Sequence, residues 1–539
     1  MMSFFILALL FAIFMSLPFL VPHLGFMALF GFVPLLIMDT VADLRRKKCV
    51  FPWYFLAFAL WNAATTFWVC NATIGGGIAA IVLNSLQMSI LFWIFRLSRK
   101  RFSDLLSYIF LALMWIAWER FYYFSDISWP WLTLGNAFAR SVQDVQWYEY
   151  TGALGGSLWI WISNISIFYF IMFILGDYMK EMKFYVKLGI FLLCVVVVGG
   201  PICLSRTMYS EYEEVSEGKV PVLIGQPNID PYQKFHSMSQ AEQTDLLLTQ
   251  FKNELGDSSA GRVLLIAPET FTNDIVVGEI RESTSFKRFQ EFLSPYPNAD
   301  FLFGASSYEY VTSAEAPSLT ARNVRDNLWV ETHNSALMTD HNGRHEIFHK
   351  SKLVVGTELT PYPKLFNKID DMLGGVMAHC SGQEEISVLH LHDGTPVGCA
   401  VCYESVFGEY CTGYIKKGAK ALAVITNDAW WGDTPGYLQH LSYSSLRAIE
   451  TRRDIARCAN TGVSAFINQR GDIVDKTNWW RRETLSGDIN LSSRETFFVK
   501  YGDIVGKVST VIFLALLLLL IIKAFIPSKK PSSRTYVRR

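Results

Sequence analysis

The sequence predicts two kinds of structure in one chain. One is a polytopic α-helical membrane domain with about eight transmembrane helices. The other is an α/β domain layered as an α-β-β-α sandwich. Three observations carry this. Hydrophobic residues make up 51% of the 539 positions and charged residues 18%, with mean hydropathy +0.24. That is too apolar for a wholly soluble protein and too mixed for a purely membrane-embedded one. Apolar runs near the ~20 residues needed to cross a bilayer crowd the chain before about residue 205 and recur once near its end. Between them, short β-rich runs alternate with amphipathic stretches.

The apolar runs are Phe4 to Leu20, Leu24 to Met38, Pro52 to Val69, Ile74 to Phe95, Leu105 to Phe124, Leu158 to Leu175, Val186 to Leu204 and Val508 to Ile526. The first lacks the basic start of a signal peptide and a second run comes at once, so it reads as a retained anchor. Lys and Arg cluster in alternate loops: Arg45-Arg46-Lys47-Lys48, then Arg96 to Arg101, then Lys180 to Lys187, then the tail after Lys523. By the positive-inside rule these loops and both termini are cytoplasmic. The large polar segment then lies on the far side, periplasmic in a Gram-negative cell. The expected division is 1–205 for seven helices, 206–505 for the outer domain, 506–527 for the last helix and 528–539 for a basic tail. The loop from Ser125 to Gly156 carries Trp129-Pro130-Trp131 and Trp147-Tyr148. It reads either as an aromatic belt at the headgroups or as the wall of a lipid-entry cleft.

In the outer domain the expected strands are Val220–Gly225, Val263–Ala267, Phe301–Ala305, Asn334–Met338, Ile386–Leu391, Pro396–Val401, Ala421–Thr426 and Val463–Asn468. The expected helices are Ser239–Leu255, Ser285–Leu293 and Tyr437–Asp454. Lys+Arg and Asp+Glu are both 48, so net charge gives no argument for nucleic acid, and the basic clusters are explained by topology. The nine cysteines form no disulfide framework. Cys399, Cys402 and Cys411 lack His ligands at zinc spacing, so no metal site is expected.

Three residues carry candidate chemistry. Cys402 ends a strand and precedes Tyr403-Glu404. It is either a buried small hydrophobe or a nucleophile, and a nucleophilic thiol needs a nearby base or cation. Glu269 comes after the apolar strand Val263–Ala267, at the strand end where α/β sites form; it could equally be a helix N-terminal acid. Lys350 lies in His349-Lys350-Ser351-Lys352-Leu353. It is either solvated or a cation for a developing oxyanion, with Lys352 as a competitor.

Glu, Lys and Cys in this chain order resemble the nitrilase superfamily, whose Glu-Lys-Cys triad sits on an α-β-β-α sandwich. Pro268-Glu269, His349-Lys350, Cys402-Tyr403-Glu404, Asn427-Asp428-Ala429-Trp430-Trp431-Gly432, Gln439-His440, Arg447-Ala448-Ile449-Glu450 and Ala459-Asn460-Thr461-Gly462 extend the likeness to the apolipoprotein N-acyltransferase family. So do Trp118-Glu119 and Trp129-Pro130-Trp131-Leu132 in the membrane half. The resemblance implies Cys402 as nucleophile, Glu269 as general base and Lys350 as oxyanion stabiliser. It implies supporting roles for Glu358 and Glu404, and substrate placement by Tyr403 and Trp430. Phe235 stands where the family often has Trp. The segment Leu353-Val354-Val355-Gly356-Thr357-Glu358 departs from the family's Leu-Val-Pro-Phe-Gly-Glu.

The activity that the resemblance implies is acyl transfer through a cysteine thioester. The donor is a phospholipid and the acceptor a diacylated lipoprotein; no cofactor is needed and nothing demands an oligomer. Both substrates are held in a bilayer, which fits an active domain anchored by spans. Two alternatives stand beside this reading. A membrane-tethered amidase would let water replace the amine. The other is an inactive scaffold or transporter; transport would need charges within the spans, of which Glu119 is the clearest, with Asp39 and Asp43 at an edge.

Overall fold

The computed structural model describes residues 2–47, 49–175, 183–231, 234, 238–256, 261–315, 318–364 and 380–526. The basic tail and Phe235 lie outside these residues. The chain divides into two units: Met1–Ser125 with Trp129–Tyr212 and Tyr501–Arg539, and Asp126–Ser128 with Glu213–Lys500.

In the first unit seven helices among the described residues are long and apolar enough to cross a membrane: Met2–Leu20, Gly25–Leu44, Ile74–Ser98, Asp104–Tyr122, Tyr148–Leu175, Phe184–Glu211 and Ile504–Phe525. The expected run Pro52 to Val69 falls short of this length. It forms a 16-residue helix, Phe51–Thr66, then a turn and the short helix Val69–Ala72. The reason lies at its end. Thr65 and Thr66 donate their hydroxyls back to the carbonyls of Trp61 and Asn62, both at 2.7 Å, a habit that bends helices.

The interior of this unit is aromatic. Phe32, Trp115 and Trp161 meet with ring centroids 4.5–5.4 Å apart. The helix break at Phe32 is closed by Asn164, which accepts from Phe32 N (2.7 Å) and donates to Ala28 O (2.8 Å). Backbone groups that lipid cannot satisfy are thereby paired within the protein. The charges that a transport pathway would use are engaged in structure. Asp39 pairs with Arg96 and Arg99, and Glu119 accepts from Trp115 Nε1 and Leu134 N. Trp131 is buried against Trp68 and stacked with Trp129, so this part of the aromatic loop packs inward.

The second unit holds two sheets. The first contains β1 (Lys219–Gln226), β2 (Val263–Ile266), β3 (Thr272–Val276), β4 (Ala299–Thr312), β5 (Arg322–Arg325), β6 (Leu328–Asp340), β7 (His345–His349) and β14 (Glu483–Asn490). Its main order is β14-β1-β2-β4-β6-β5, with β3 beside β4 and β7 beside β6. The second contains β8 (Leu389–His390), β9 (Pro396–Val401), β10 (Ala421–Thr426), β11 (Ile455–Ala459), β12 (Ala465–Ile467) and β13 (Ile473–Lys476), in order β13-β12-β11-β10-β9-β8. Strands β1, β2 and β4 run parallel, as do β9, β10 and β11.

Side-chain alternation builds the layers. Val220, Val222 and Ile224 of β1, with Leu264 and Ile266 of β2, join the core shared with the second sheet. Leu223, Val263 and Leu265 point the other way, onto Leu247, Phe251, Phe286 and Phe289 of the helices Gln240–Leu255 and Thr284–Leu293. Helices Gly408–Lys416 and Pro435–Thr451 pack against the second sheet. The result is the α-β-β-α sandwich. Strand β8 is shorter than expected and β4 and β6 are longer. The helix expected to reach Asp454 ends at Thr451, because Arg452 turns left-handed at φ +48°.

Candidate active site

Three chain segments converge at strand ends, two of them those of the parallel strands β2 and β9, the usual place for a site in such sheets. Glu269 comes after β2, beyond Ala267-Pro268. Its turn lies hard against β4, and only a glycine fits there: a Cβ on Gly304 would sit 2.5 Å from the Pro268 carbonyl oxygen. Lys350 comes directly after β7, and Cys402 directly after β9.

Lys350 is buried and donates to Glu269 Oε1 at 3.1 Å and to Glu358 Oε1 at 3.0 Å. Asn334 of β6 donates to the same two oxygens, each at 2.7 Å. Burial alone would favour a neutral amine, but Glu269 and Glu358 outweigh it and hold Lys350 well above the usual lysine range. The cation is therefore permanent at neutral pH. Glu269 Oε2 accepts from Asn427 N at 3.0 Å, the residue just beyond β10. A carboxylate offers about four lone-pair positions; Asn334, Lys350 and Asn427 engage three of those of Glu269.

Cys402 sits in the left-handed region at φ +52°, a strained conformation for a non-glycine residue and a mark of functional turns. Its thiol senses both groups. Burial and the charge of Glu269 push it well above the ordinary range, while Lys350 pulls it back. At rest the sulfur keeps its proton, so chemistry at this thiol requires a base. Its carbonyl accepts from Ser405 Oγ at 2.8 Å and lies 3.1 Å from His440 Nε2.

The divergent segment 354–358 closes as a tight turn. Glu358 N and Leu359 N donate to Val354 O (2.8 and 3.1 Å), and Gly356 supplies the φ of +83°. Val354 N donates to Glu358 Oε2 at 2.8 Å. The altered residues thus still aim Glu358 at Lys350. Glu404 is fully buried and staples the two sheets. It accepts from Ser351 N and Lys352 N beyond β7, from Val401 N of β9, and from the hydroxyls of Tyr410 and Tyr414. Lys352, the competitor cation, instead lies over the rings of Phe407 and Tyr410 at 5.4 and 5.7 Å.

Tyr403 is buried with its ring edge-on to Phe407. Trp430 is 38% exposed, so it does not belong to the packed core, whereas its neighbour Trp431 meets the His440 ring. Asn334 is not singled out by the sequence as a site residue. Its one signal there is a polar residue opening an apolar strand. Asp428, His440 and Arg457 form a second buried network: Asp428 accepts from Thr426 Oγ1 (2.8 Å) and Arg457 Nη2 (2.6 Å), and lies 2.9 Å from His440 Nδ1. The Arg447–Glu450 motif is a buried ion pair, and Arg447 Nη1 donates to Val406 O at 2.7 Å.

Residues 314–497 match the carbon-nitrogen hydrolase family, and residues 11–166 match the apolipoprotein N-acyltransferase N-terminal domain. Glu269 precedes the first of these segments. The chain is 30% identical over 508 residues to the apolipoprotein N-acyltransferase of Chlorobaculum tepidum, covering 90% of each. It is 26% identical over 517 residues to that of Geobacter metallireducens, covering 93% of this chain and 92% of the relative. A solved structure of Nit3 from Saccharomyces cerevisiae, a member of the nitrilase superfamily, aligns with 52% of this chain and 93% of its own at TM-score 0.36 and 13% identity.

Proposed function

The chain belongs to the apolipoprotein N-acyltransferase family, and we propose that it moves an acyl chain from a membrane phospholipid, through a thioester on Cys402, to the α-amine of a diacylglyceryl-cysteine at a lipoprotein's N-terminus. It is an acyltransferase of the inner membrane. The observation that carries the mechanism is geometric: Cys402 directly follows β9, and Lys350 is held between the carboxylates of Glu269 and Glu358, whose cluster the thiol senses.

In the first step Glu269 takes the Cys402 proton as sulfur attacks the ester carbonyl carbon. The carbonyl oxygen gains charge and is met by Lys350 and by the backbone N–H of Tyr403. The tetrahedral intermediate collapses, the ester C–O bond breaks, and the leaving alkoxide takes the proton from Glu269 to depart as lysophospholipid. In the second step the lipoprotein amine attacks the thioester. Glu269 accepts a proton from nitrogen, and one returns to sulfur as the C–S bond breaks. One hard transfer becomes two easier ones. Asn334 and Glu358 hold Lys350 and Glu269 in register, and Glu404 ties the strand ends that carry Lys350 and Cys402. Tyr403 and Trp430 flank the acyl chain.

We assign residues 213–500 to the catalytic domain and the helices on either side to the membrane anchor. The alternating Lys and Arg clusters support a periplasmic catalytic domain and cytoplasmic termini. In this reading Phe51–Thr66 is a crossing shorter than the ~30 Å core, which a locally thinned bilayer accommodates. It packs against Met2–Leu20 and Ile74–Ser98.

The test is to supply the purified protein with phospholipid labelled in its acyl chain and a diacylated lipopeptide. Label is expected on the lipopeptide amine with wild type and not with Cys402→Ala. Label released only as free fatty acid would overturn transfer and favour hydrolysis.

A further inference from the structure

The buried Asp428–His440 pair supplies neither the base nor the cation of the site, yet it reaches the nucleophile's own backbone. The Cys402 carbonyl oxygen has two partners, Ser405 Oγ at 2.8 Å and His440 Nε2 at 3.1 Å. Nε2 also lies 3.0 Å from Ser405 Oγ. A carbonyl oxygen only accepts; in the arrangement that serves it, a hydrogen on Nε2 points to it and the Ser405 hydroxyl donates there as well. The ring is held at its other nitrogen too. Nδ1 lies 2.9 Å from Asp428 Oδ1 and 3.1 Å from Arg457 Nη2. Asp428 is fixed in turn by Thr426 Oγ1 and Arg457 Nη2. Burial works against its charge, but Arg457 and His440 outweigh that and hold the carboxyl below its usual range. Asp428, His440, Ser405 and Arg457 are all at 0% exposure. Burying so many polar groups is costly, and the network converges on one peptide unit.

That peptide unit is the Cys402–Tyr403 bond. Its carbonyl and its N–H share one conjugated group, so a donor on the oxygen strengthens the N–H as a donor. Its geometry is also unusual, because Cys402 is left-handed at φ +52° and strain of this kind needs surrounding structure to hold it. We infer that His440, oriented by Asp428 and Arg457 and seconded by Ser405, is a positioning residue. It fixes and polarises the Cys402–Tyr403 peptide so that the Tyr403 N–H meets the oxyanion opposite Lys350. This role rests on the thioester reading of Cys402.

The test compares two reactions of the same sulfur. Acylation by phospholipid passes through an oxyanion. Alkylation by iodoacetamide does not: sulfur displaces iodide at a methylene carbon and no carbonyl oxygen gains charge. Both rates are measured on the full-length protein in detergent. His440→Ala is expected to slow acyl-enzyme formation roughly 10- to 100-fold and to leave Cys402 alkylation within about twofold. His440→Gln, which returns a donor near the position of Nε2, is expected to recover most of the lost rate. Ser405→Ala should show the same signature at smaller size, and it decides the matter if His440→Ala fails to fold. Equal losses in acylation and alkylation would make the network merely structural and overturn the inference. Unchanged acylation in both variants would overturn it as well. A wild-type protein that alkylates at Cys402 but never acylates there would instead overturn the thioester reading, and this inference with it.

Discussion

The two sheets of the catalytic domain bring unlike halves to the site. The first sheet brings charge. Glu269, Asn334, Lys350 and Glu358 hang from β2, β6, β7 and the turn after β7, joined by contacts of 2.7–3.1 Å. The second sheet brings backbone shape. Cys402 holds a left-handed conformation at the end of β9, Asn427 presents its N–H to Glu269 beyond β10, and Ser405 and His440, the latter held by Asp428, meet the Cys402 carbonyl. Neither sheet alone holds a thiol beside a base and a cation. The difference teaches that the sandwich core does more than stabilise the domain, since under the proposed mechanism its closure assembles the reaction centre.

The largest expected effects remove the charged half. Glu269→Gln and Lys350→Met should each lower acyl-enzyme formation by roughly 10³-fold or more. Both should also slow alkylation by iodoacetamide, Glu269→Gln because the base is lost and Lys350→Met because the thiol loses the cation that pulls it down. Lys350→Met also leaves Glu269 and Glu358 facing each other without a cation, at about 3–5 kcal/mol of stability, measurable as a lowered Tm. Next come the residues that hold those charges. Asn334→Ala and Glu358→Gln should cost roughly 10- to 100-fold in acylation, by analogy with orienting partners elsewhere. A loss as deep as that of Glu269→Gln would place them in the chemistry itself.

Smaller effects test the second sheet as a frame. Asp454 heads β11, where burial raises its carboxyl to about 6 from the ordinary 3.8. The folded protein therefore holds a proton that the unfolded chain has shed between about pH 4 and 6. Stability from this group falls as pH rises through that window and its cost is complete above it. Asp454→Asn should raise stability by about 1–3 kcal/mol at pH 7, have little effect at pH 4, and leave the acylation rate unchanged. The smallest change is Lys352→Ala. Its ring contacts with Phe407 and Tyr410 amount to about 1 kcal/mol. Acylation should stay within a few-fold, which separates Lys352 from Lys350.

The same contrast between the sheets explains what is legible in the sequence. Glu269, Lys350 and Cys402 are residue types with chemistry of their own; Glu269 and Cys402 follow apolar strands, while Lys350 follows the mixed run His345–His349 and is picked out by the family resemblance. The sandwich is legible because β9 and β10 are unbroken apolar strands with sharp ends. Asn334, Asp428 and His440 act only through what they touch across the fold, at separations of 12 to 65 residues, and no local pattern encodes that. Strands β5, β13 and β14 are exposed or mixed, so they lack the apolar signal. The helix Phe51–Thr66 reads as longer in the sequence because its composition stays apolar past the point where Thr65 and Thr66 bend it.

Acyl transfer through the Cys402 sulfur is tested most directly by intact-protein and peptide mass spectrometry, after incubation with a single phospholipid and no lipoprotein acceptor. The expected result is a mass gain of one acyl chain on the peptide bearing Cys402, removed by neutral hydroxylamine and discharged onto added diacylated lipopeptide. Acylation of the lipopeptide by Cys402→Ala protein, or an acyl chain on any other residue that turns over, would contradict it.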